Sequence, residues 1–320
     1  MLLNLWTSPL FYWVHTMSQN QATPVRNIAR MPIWIRQNLG QQAHYPDTLR
    51  AVHDNELHTV CEEAKCPNRG ECWSRGTATF MLLGDTCTRA CGFCAVKTGK
   101  PVWFDADEPR RVAEAVAALK LSYIVLTSVN RDDLPDGGAS VFAATLTALR
   151  QLDAQMGVEF LTPDFRNCQE NALQLMQQTL AQLACDTRRD LVWGHNVETV
   201  PRLYRLARKG SDYQRSLRLL AQAAELPGVE AKSALMLGLG ETREEVLGVL
   251  RDLRQCGVQR VSLGQYLRPS LQHLAVQHYV HPDEFAAYEE DARAMGFAWV
   301  KAGAMVRSSY YAEEIQASLK

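Results

Sequence analysis

Short apolar runs alternate with helix-length stretches between residues 77 and 296, and this alternation limits the possible folds most strongly. The apolar runs cover residues 78–83, 122–127, 158–161, 191–193, 234–237 and 261–263, and each has the length of a β-strand. Parallel strands joined by helices form right-handed crossovers, so six such units predict a parallel sheet with helices outside it. We therefore predict an α/β fold with a partial (β/α)6 TIM-type barrel, and a doubly wound open sheet is the alternative.

Two of the predicted helices are marked by their ends. Pro109 stands at a first-turn position before apolar residues spaced i, i+3, i+4 and i+7 over 112–119. Thr242 and Glu245 have the spacing of a capping box, and the amphipathic stretch behind them stops at Gly257. These signals predict one helix after the first strand and another after the fifth.

Composition excludes several classes of protein. The chain has 320 residues, of which 47% are hydrophobic, and this is enough to bury a large core. Its formal net charge of -1 provides no global basic field, so we predict no nucleic-acid partner. Six of the nine cysteines fall in two triplets, which is typical of metal binding in a reducing compartment and predicts a cytoplasmic protein. Of the other three, Cys256 continues an apolar helix face and is predicted to pack in the core.

The first 46 residues contain no Asp or Glu. This composition fits an organellar transit peptide, with a plastid or mitochondrial location, or a leader translated from an over-extended start, with Met17 and Met31 as alternative starts. We favour the second interpretation. The apolar run at residues 1–14 is interrupted by Pro9 and is too short to span a bilayer, so we predict no membrane association.

Three cysteines directly follow the first predicted strand. Cys87, Cys91 and Cys94 have the spacing C-x3-C-x2-C, and thiolates so close together repel one another unless a soft metal centre neutralises them. A structural zinc site needs four protein ligands, and no partner pair lies next to this triplet. Three cysteines on a cubane [4Fe-4S] cluster instead leave one iron free for a small molecule. A chance group of buried cysteines is the alternative.

A second triplet precedes the first strand. Cys61, Cys66 and Cys72 have the spacing C-x4-C-x5-C, and the same repulsion predicts a second iron–sulfur cluster, again one protein ligand short. A structural zinc site completed by His53 or His58 is the alternative.

The C-x3-C-x2-C spacing resembles the signature of radical S-adenosylmethionine (SAM) enzymes, in which the free iron chelates the amino and carboxylate groups of SAM. With both triplets present, the chain resembles the lipoyl synthases over residues 55 to 312. The stretches that carry the resemblance, besides the triplets, are residues 127–134, 136–138, 163–166, 195–202, 238–242, 263–267 and 307–310.

This resemblance implies an activity and its cofactors. The implied reaction inserts two sulfur atoms, at C6 and C8, into an octanoyl group on a lysine of a lipoyl carrier domain or glycine-cleavage H protein. Two [4Fe-4S] clusters and SAM are implied. Catalytic Cys87, Cys91 and Cys94 would hold the cluster that cleaves SAM to a 5′-deoxyadenosyl radical. The other triplet would hold an auxiliary cluster that donates sulfur, with Ser309 or Ser308 as its fourth ligand. A ferredoxin or flavodoxin would supply electrons, and we expect a monomer.

Seven residues are further candidates for SAM contacts, because they lie in the resembling stretches or in the loop of residues 87–94, which we call the cluster loop. They are Phe93, Asn130, Gly137, Gly138, Asn196, Glu198 and Gly240. Turn or helix-cap roles are the alternative for Asn130, and a plain tight turn is the alternative for Gly240. Neighbouring His195 is either a ligand contact or a structural histidine.

We predict four regions: a leader over 1–46, an auxiliary-cluster extension over 47–76, the partial barrel over 77–296, and a C-terminal segment over 297–320 that returns to the extension.

Another radical SAM sulfur-inserting enzyme, of the biotin-synthase-like or methylthiolating type, is the alternative activity. A non-enzymatic iron–sulfur electron carrier or a zinc-dependent binding module is the third.

Overall fold

A computed structural model describes residues 31–35, 45–66, 68–74, 79–102, 104–183, 191–310 and 312. Most of the predicted leader and residue Cys185 lie outside these ranges. Within them, no helix combines the length and apolar content that crossing a bilayer requires.

The elements follow one another in a regular alternation after a short N-terminal region. That region contains α1 (Tyr45–Asp54), β1 (His58–Thr59), α2 (Val60–Glu63) and α3 (Arg69–Ser74). The elements that follow are β2 (Thr79–Leu82), β3 (Thr86–Cys87), β4 (Lys97–Thr98), α4 (Glu108–Leu119), β5 (Tyr123–Ser128), α5 (Ala139–Leu152), β6 (Gly157–Leu161) and α6 (Gln169–Gln182). The remaining ones are β7 (Leu191–Gly194), α7 (Tyr204–Ala207), α8 (Tyr213–Ala224), β8 (Val229–Leu237), α9 (Arg243–Gln255), β9 (Arg260–Gln265), α10 (Pro282–Ala294) and β10 (Trp299–Gly303).

One sheet contains eight strands in the order β1-β2-β5-β6-β7-β8-β9-β10. Neighbours from β2 to β10 pair in parallel, and β1 pairs antiparallel with β2 at the edge. Strand order therefore follows chain order without the reversal of a doubly wound sheet, so the barrel-type prediction is confirmed and the alternative is wrong. In the described residues no strand ladder joins β10 back to β1 or β2. The sheet is thus a partial barrel.

All six predicted strands are present, and the structure adds a seventh parallel strand. β10 lies within the segment that we predicted to stand apart from the barrel, and it pairs with β9 from Trp299 opposite Arg260 to Gly303 opposite Gly264. Its sequence, Trp-Val-Lys-Ala-Gly, has neither an apolar run nor a clean alternation, which explains why the sequence-based prediction missed it.

The helix ends agree with the predicted signals. Thr242 accepts a hydrogen bond from the backbone N–H of Glu245, and the Glu245 side chain accepts one from the backbone of Thr242, which completes the capping box of α9. α4 has Pro109 in its first turn. Gly257, which follows the C-cap residue Cys256 of α9, has φ +79°, a conformation that glycine adopts at low cost.

The core is apolar on both faces of the sheet. Every residue of β2 and β7 is buried, as expected for parallel strands covered by helices. Phe142 on α5, Phe160 on β6 and Trp193 on β7 pack edge to face, with ring centroids 5.2 and 6.1 Å apart. Cys256 packs against the core beside α9, as predicted.

A charged layer lies inside the barrel towards the amino ends of the strands. The Lys232 ammonium donates to both carboxylate oxygens of Glu159 at 2.8 and 2.9 Å, and Tyr123 donates to the same carboxylate at 3.1 Å. Arg260 pairs with Glu230 nearby. These groups are fully or almost fully buried, so each charge needs its partner.

The C-terminal segment returns to the N-terminal region. Beyond β10, the carbonyl of Met305 accepts a hydrogen bond from the Asn68 side chain at 2.6 Å, and Tyr310 donates to both carboxylate oxygens of Glu71 at 2.9 and 3.1 Å. These contacts hold residues 305–310 beside α3, the helix that carries Cys72.

Candidate active site

A cavity of about 510 Å³ opens at the carboxyl ends of the parallel strands, where ligand sites of such folds are found. Its wall includes Cys87, Cys91 and Cys94 from the cluster loop, together with Cys66, Ser308 and Ser309. Members of both triplets and both candidate serines therefore meet in one space, although the serines follow the cysteines by more than 200 residues in sequence.

Backbone contacts with three neighbouring segments hold the cluster loop in place. The backbone N–H of Thr88 donates to the carbonyl of Asn130 at 3.0 Å, directly after β5. On the opposite side, the N–H of Gly92 donates to the carbonyl of Ala207 at 2.9 Å, and His273 lies 3.0 Å from the carbonyl of Cys94. The loop is therefore bound through its backbone, and its thiols remain available for ligation.

The chemistry of these thiols fits a metal cluster. Burial raises the pKa of Cys91 to about 11 and the pKa of Cys94 to about 12. Cys91 and Cys94 would not ionise at neutral pH without a positive centre, because burial disfavours each charge and the neighbouring thiols repel it. A soft metal cluster supplies that positive centre and deprotonates its ligands. The residues present thus fit the group that the sequence predicts.

The second triplet lies in the two short helices before β2 and in the turn that joins them. Cys61 lies buried in α2 and Cys72 lies in α3, whereas Cys66, in the turn between them, reaches the cavity wall. Burial raises the pKa of Cys61 to about 11, and the neighbouring Cys66 adds to the shift. The two thiols are therefore close enough to repel one another when ionised.

Both histidines of the alternative zinc site contact carboxylates. His53 lies 3.4 Å from Glu62, and His58 lies 3.4 Å from Glu63. Within the described ranges, no three His, Cys, Asp or Glu side chains lie close enough to hold one metal ion. A cubane does not require such proximity, because each thiolate binds a different iron.

Four of the predicted SAM-contact residues line the cavity, and three do not. Phe93, Asn130, Asn196 and Glu198 form part of its wall. A Cβ atom on Gly137 would meet Cys168 and Phe165, one on Gly138 would meet Leu83, and one on Gly240 would meet Gln277. These glycines have φ of +61°, +89° and +109°, so their turns explain their identity. A contact between them and SAM stays a prediction.

Several buried polar atoms at the cavity wall have no hydrogen-bond partner among the described residues. They are Ser128 Oγ, Asn130 Oδ1, Asn196 Oδ1 and Ser262 Oγ. A buried polar atom without a partner is costly, and such atoms at a cavity wall indicate a polar ligand. Ser128 and Ser262 were not predicted as candidates, because a lone serine at a strand end has no distinctive sequence signal.

Glu198 and His195 have different environments beside the same wall. Glu198 has a left-handed backbone with φ +65°, and it accepts a hydrogen bond from Asn196 at 3.1 Å. The pKa of its carboxyl is raised, because the effect of burial outweighs the opposing effect of the cationic Arg208 and Arg307. His195 contacts the Thr162 carbonyl at 2.8 Å and the Ser216 hydroxyl at 3.0 Å, and burial lowers its pKa to about 4. His195 also lines the cavity; it is neutral near pH 7 and both of its ring nitrogens have hydrogen-bond partners.

Arg89, between the first two cluster cysteines, connects the loop to two further strands and was not predicted. Its Nε and Nη2 donate to the two oxygens of Asp132, both at 2.7 Å, and Nη2 lies 2.6 Å from Asp164. Its Nη1 also donates to Ser211 at 3.2 Å. Asp132 follows β5 and Asp164 follows β6, so one side chain fixes the loop relative to both strand ends.

Known proteins resemble the chain both in sequence and in fold. The sequence pattern of the Radical SAM superfamily matches residues 81–253. Lipoyl synthase of Bordetella avium is 51% identical over 287 residues, which cover 89% of this chain and 84% of that protein. Lipoyl synthase of Chromobacterium violaceum is 50% identical over 291 residues, covering 91% of this chain and 90% of that protein.

Solved structures support the fold alone. Streptococcus suis SuiB bound to S-adenosylmethionine superposes with a TM-score of 0.53 at 12% identity, covering 74% of this chain and 55% of that chain. Methylornithine synthase superposes with a TM-score of 0.50 at 10% identity, covering 82% and 83%. Because the sequence identity of about half extends over nine-tenths of its length, this chain belongs to the lipoyl synthases of the radical SAM superfamily.

Proposed function

We propose that this enzyme inserts sulfur at C6 and C8 of an octanoyl group carried on a lysine of a lipoyl carrier domain or glycine-cleavage H protein. Family membership implies SAM and [4Fe-4S] chemistry. The observation that best supports the proposal is the shared cavity, because Cys87, Cys91 and Cys94 line it together with Cys66 and the two serines.

We assign two clusters to this cavity. Cys87, Cys91 and Cys94 would hold one of them, and Cys61, Cys66 and Cys72 would hold the other. Either Ser309 or Ser308 would complete the second set, since both line the cavity beside Cys66. Residues 47–76 would then serve as the auxiliary-cluster extension, and residues 297–320 would complete it. When bound, these groups would supply the radical that removes hydrogen from carbon and the sulfide that replaces it.

The polar wall would orient SAM. Within the described part of the chain, Asn130 and Asn196 offer buried amide oxygens without hydrogen-bond partners, and Ser128 and Ser262 offer hydroxyl groups. Amide oxygens accept hydrogen bonds from amino groups, and hydroxyl groups can donate to a carboxylate or to ribose oxygens. Phe93, between the second and third cluster cysteines, would supply an aromatic face.

The apolar wall would hold the octanoyl chain and exclude water. Met81, Val129, Leu161, Leu235 and Val306 all line the cavity, and burial of an eight-carbon chain there is favoured by about 0.8 kcal/mol per methylene. Exclusion of water also protects a carbon radical from side reactions.

Anaerobic reconstitution with iron and sulfide tests the assignment. We expect about eight irons per chain from two cubanes, and a thiolated octanoyl product when SAM, a reductant and octanoylated carrier are present. Replacement of Cys61, Cys66 and Cys72 by alanine should halve the iron and abolish sulfur insertion, while SAM cleavage persists. Separate Ser308→Ala and Ser309→Ala variants identify the fourth ligand, because only one of them should alter the auxiliary-cluster spectrum. Sulfur insertion by the triple cysteine variant would refute the proposal.

A further inference from the structure

Cys61 lies deeper in the fold than the other two cysteines of the second triplet. Cys61 is 6% exposed, whereas Cys66 and Cys72 are half-buried, and Cys66 lines the cavity. A sulfur atom in the core is shielded from bulk water, so the hydrogen bonds that it receives come mainly from the protein. The groups around Cys61 therefore decide how well a cluster is held at this ligand.

Two N–H groups donate hydrogen bonds to the Cys61 sulfur. One is the backbone N–H of Thr79, the first residue of β2, and the other is the indole N–H of Trp73 on α3. Trp73 is 0% exposed and packs in the same apolar core as Cys61. Any residue except proline supplies a backbone donor at position 79, but the second donor depends on the identity of the side chain at position 73.

The Trp73 indole is held in one orientation by its neighbours. The Thr48 hydroxyl on α1 donates to the Trp73 carbonyl at 3.0 Å, and the Arg69 guanidinium lies 5.6 Å from the centre of the indole ring. A cation at this distance is attracted to the face of an indole ring. Val52 on α1 is fully buried in the same core. The N–H is therefore oriented before a cluster binds, as expected of a group that supports a metal ligand.

The first triplet receives hydrogen bonds from the backbone. The N–H of Arg89 lies 3.5 Å from Cys87 Sγ, and the N–H of Val96 donates to the Cys94 sulfur. Donors of this kind follow from the path of the main chain, so a side-chain substitution does not remove them. The indole of Trp73 can be replaced, and its contribution to the second triplet can therefore be measured separately.

We propose that Trp73 is a positioning residue for the auxiliary cluster and acts through the hydrogen bond from its indole N–H to Cys61. This inference rests on the proposed function, in which the second triplet binds that cluster. A donor to a ligand sulfur draws negative charge away from the iron and favours the reduced state of the cluster. Trp73 therefore raises the reduction potential of the auxiliary cluster and fixes its buried side, while Cys66 holds the side at the cavity.

Two tryptophan substitutions test the proposal in the full-length chain. The three cysteines of the first triplet are replaced by alanine, so that one cluster remains to be observed. Trp73→Phe removes the donor to Cys61. Trp193→Phe is the matched control, because Trp193 is equally buried but its indole N–H donates to Thr162 at 3.0 Å. In a potentiometric titration followed by electron paramagnetic resonance, Trp73→Phe should lower the equilibrium constant for reduction by at least about threefold. This corresponds to a potential about 30 mV more negative, and the control should leave the potential unchanged.

An isosteric replacement separates the hydrogen bond from packing. Benzothienylalanine at position 73 keeps the shape of the indole but has sulfur in place of the N–H group, and it serves if Trp73→Phe impairs folding. It should lower the potential as much as Trp73→Phe does. With indole-¹⁵N-labelled tryptophan, electron–nuclear double resonance of the reduced cluster should show a nitrogen coupling. That coupling should disappear in Trp73→Phe and persist in Trp193→Phe.

The outcomes distinguish this inference from the proposed function. Retained iron with equal potentials in the unaltered, Trp73→Phe and benzothienylalanine proteins would overturn the inference alone. A lower potential in Trp73→Phe but not in the benzothienylalanine protein would also overturn it, because packing would then be the cause. Absence of iron from all of these proteins would contradict the second cluster of the proposed function and this inference with it.

Discussion

Replacement of Arg89 by methionine should both release the cluster loop from the ends of β5 and β6 and lower the stability of the fold. The Arg89 side chain is only 3% exposed, and that of Asp164 is fully buried. Methionine keeps much of the aliphatic volume but leaves Asp132 and Asp164 without their shared cation. Asp132 is 25% exposed and can be hydrated, whereas Asp164 retains Arg215, at 2.9 Å, as its one remaining ion-pair partner among the described residues.

Two estimates give the size of the effect. Burial would raise the pKa of Asp164, but Arg89 and its other positive neighbours outweigh burial and lower the pKa from 3.8 to about 2. At 1.36 kcal/mol per pKa unit, this shift is worth about 2 kcal/mol of stability at neutral pH. Loss of one partner from a buried ion pair typically costs about 3–5 kcal/mol. Because Arg215 remains, we expect a loss of about 3 kcal/mol in the free energy of unfolding.

The pH dependence gives a second check. The folded-state pKa of Asp164 is depressed. Its contribution to the stability of the fold is therefore complete above the unfolded-state pKa and is lost as the pH falls towards about 2. The stability gap between the unaltered protein and Arg89→Met should therefore be widest near neutral pH and narrow in acid. Arg89→Lys keeps the charge but loses the bidentate geometry, so its stability should lie between those of the unaltered protein and Arg89→Met.

Urea unfolding of reduced, metal-free protein, followed by tryptophan fluorescence, measures these differences. Arg110→Met is the matched control, because Arg110 pairs with Asp107 and Glu114 on the surface, and it should not change stability measurably. In reconstituted protein, Arg89→Met should also slow SAM cleavage more than it lowers iron content. A loss of less than about 1 kcal/mol, or a gap that widens in acid, would refute the reasoning.

Two further substitutions test how the barrel supports the site. A Cβ atom at Gly264 on β9 would lie 2.1 Å from the carbonyl oxygen of Val306, so Gly264→Ala should displace the segment with the candidate serines and halve the iron retained after reconstitution. Gly303→Ala, where the nearest atom of Val306 is a methyl group at 3.4 Å, is the control and should retain full iron. Lys232→Met should lower the free energy of unfolding by about 3–5 kcal/mol, because it leaves Glu159 buried without a cation. The Lys232→Met/Glu159→Leu double variant should recover part of the lost stability in thermal or urea unfolding. A double variant no more stable than Lys232→Met would contradict this interpretation.

Local signals in the sequence were sufficient for the repeating part of the fold. The six predicted strands are apolar runs because both faces of a parallel strand are covered, and that property is visible residue by residue. The capping box at Thr242 and the proline in the first turn of α4 act within one turn of helix, so they too can be recognised locally.

Elements decided by distant contacts could not be predicted in this way. β10 becomes a strand because β9 offers it a free edge, and β1 has only two residues that pair with β2. The cavity wall combines Ser128, Ser262 and Arg208 with the cysteines. Isolated serines and arginines of this kind are common throughout the chain, so only their meeting in space distinguishes them. The cysteines differ, because repulsion between closely spaced thiols is a local property that spacing alone reveals.

Residues 68–71 and residues 305–310 contact each other, so the segments that carry the second cysteine triplet and the candidate serines depend on each other for their positions. Asn68 binds the backbone at Met305, and Tyr310 binds Glu71. The same segment is continuous with β10, whose partner β9 contributes Ser262 and Gly264 to the cavity wall. A shift of the C-terminal segment would therefore move Ser308 and Ser309 relative to both Cys66 and the polar wall. The cavity wall is therefore complete only when Cys66 and residues 306–309 are both in place, although most of the barrel separates them in sequence.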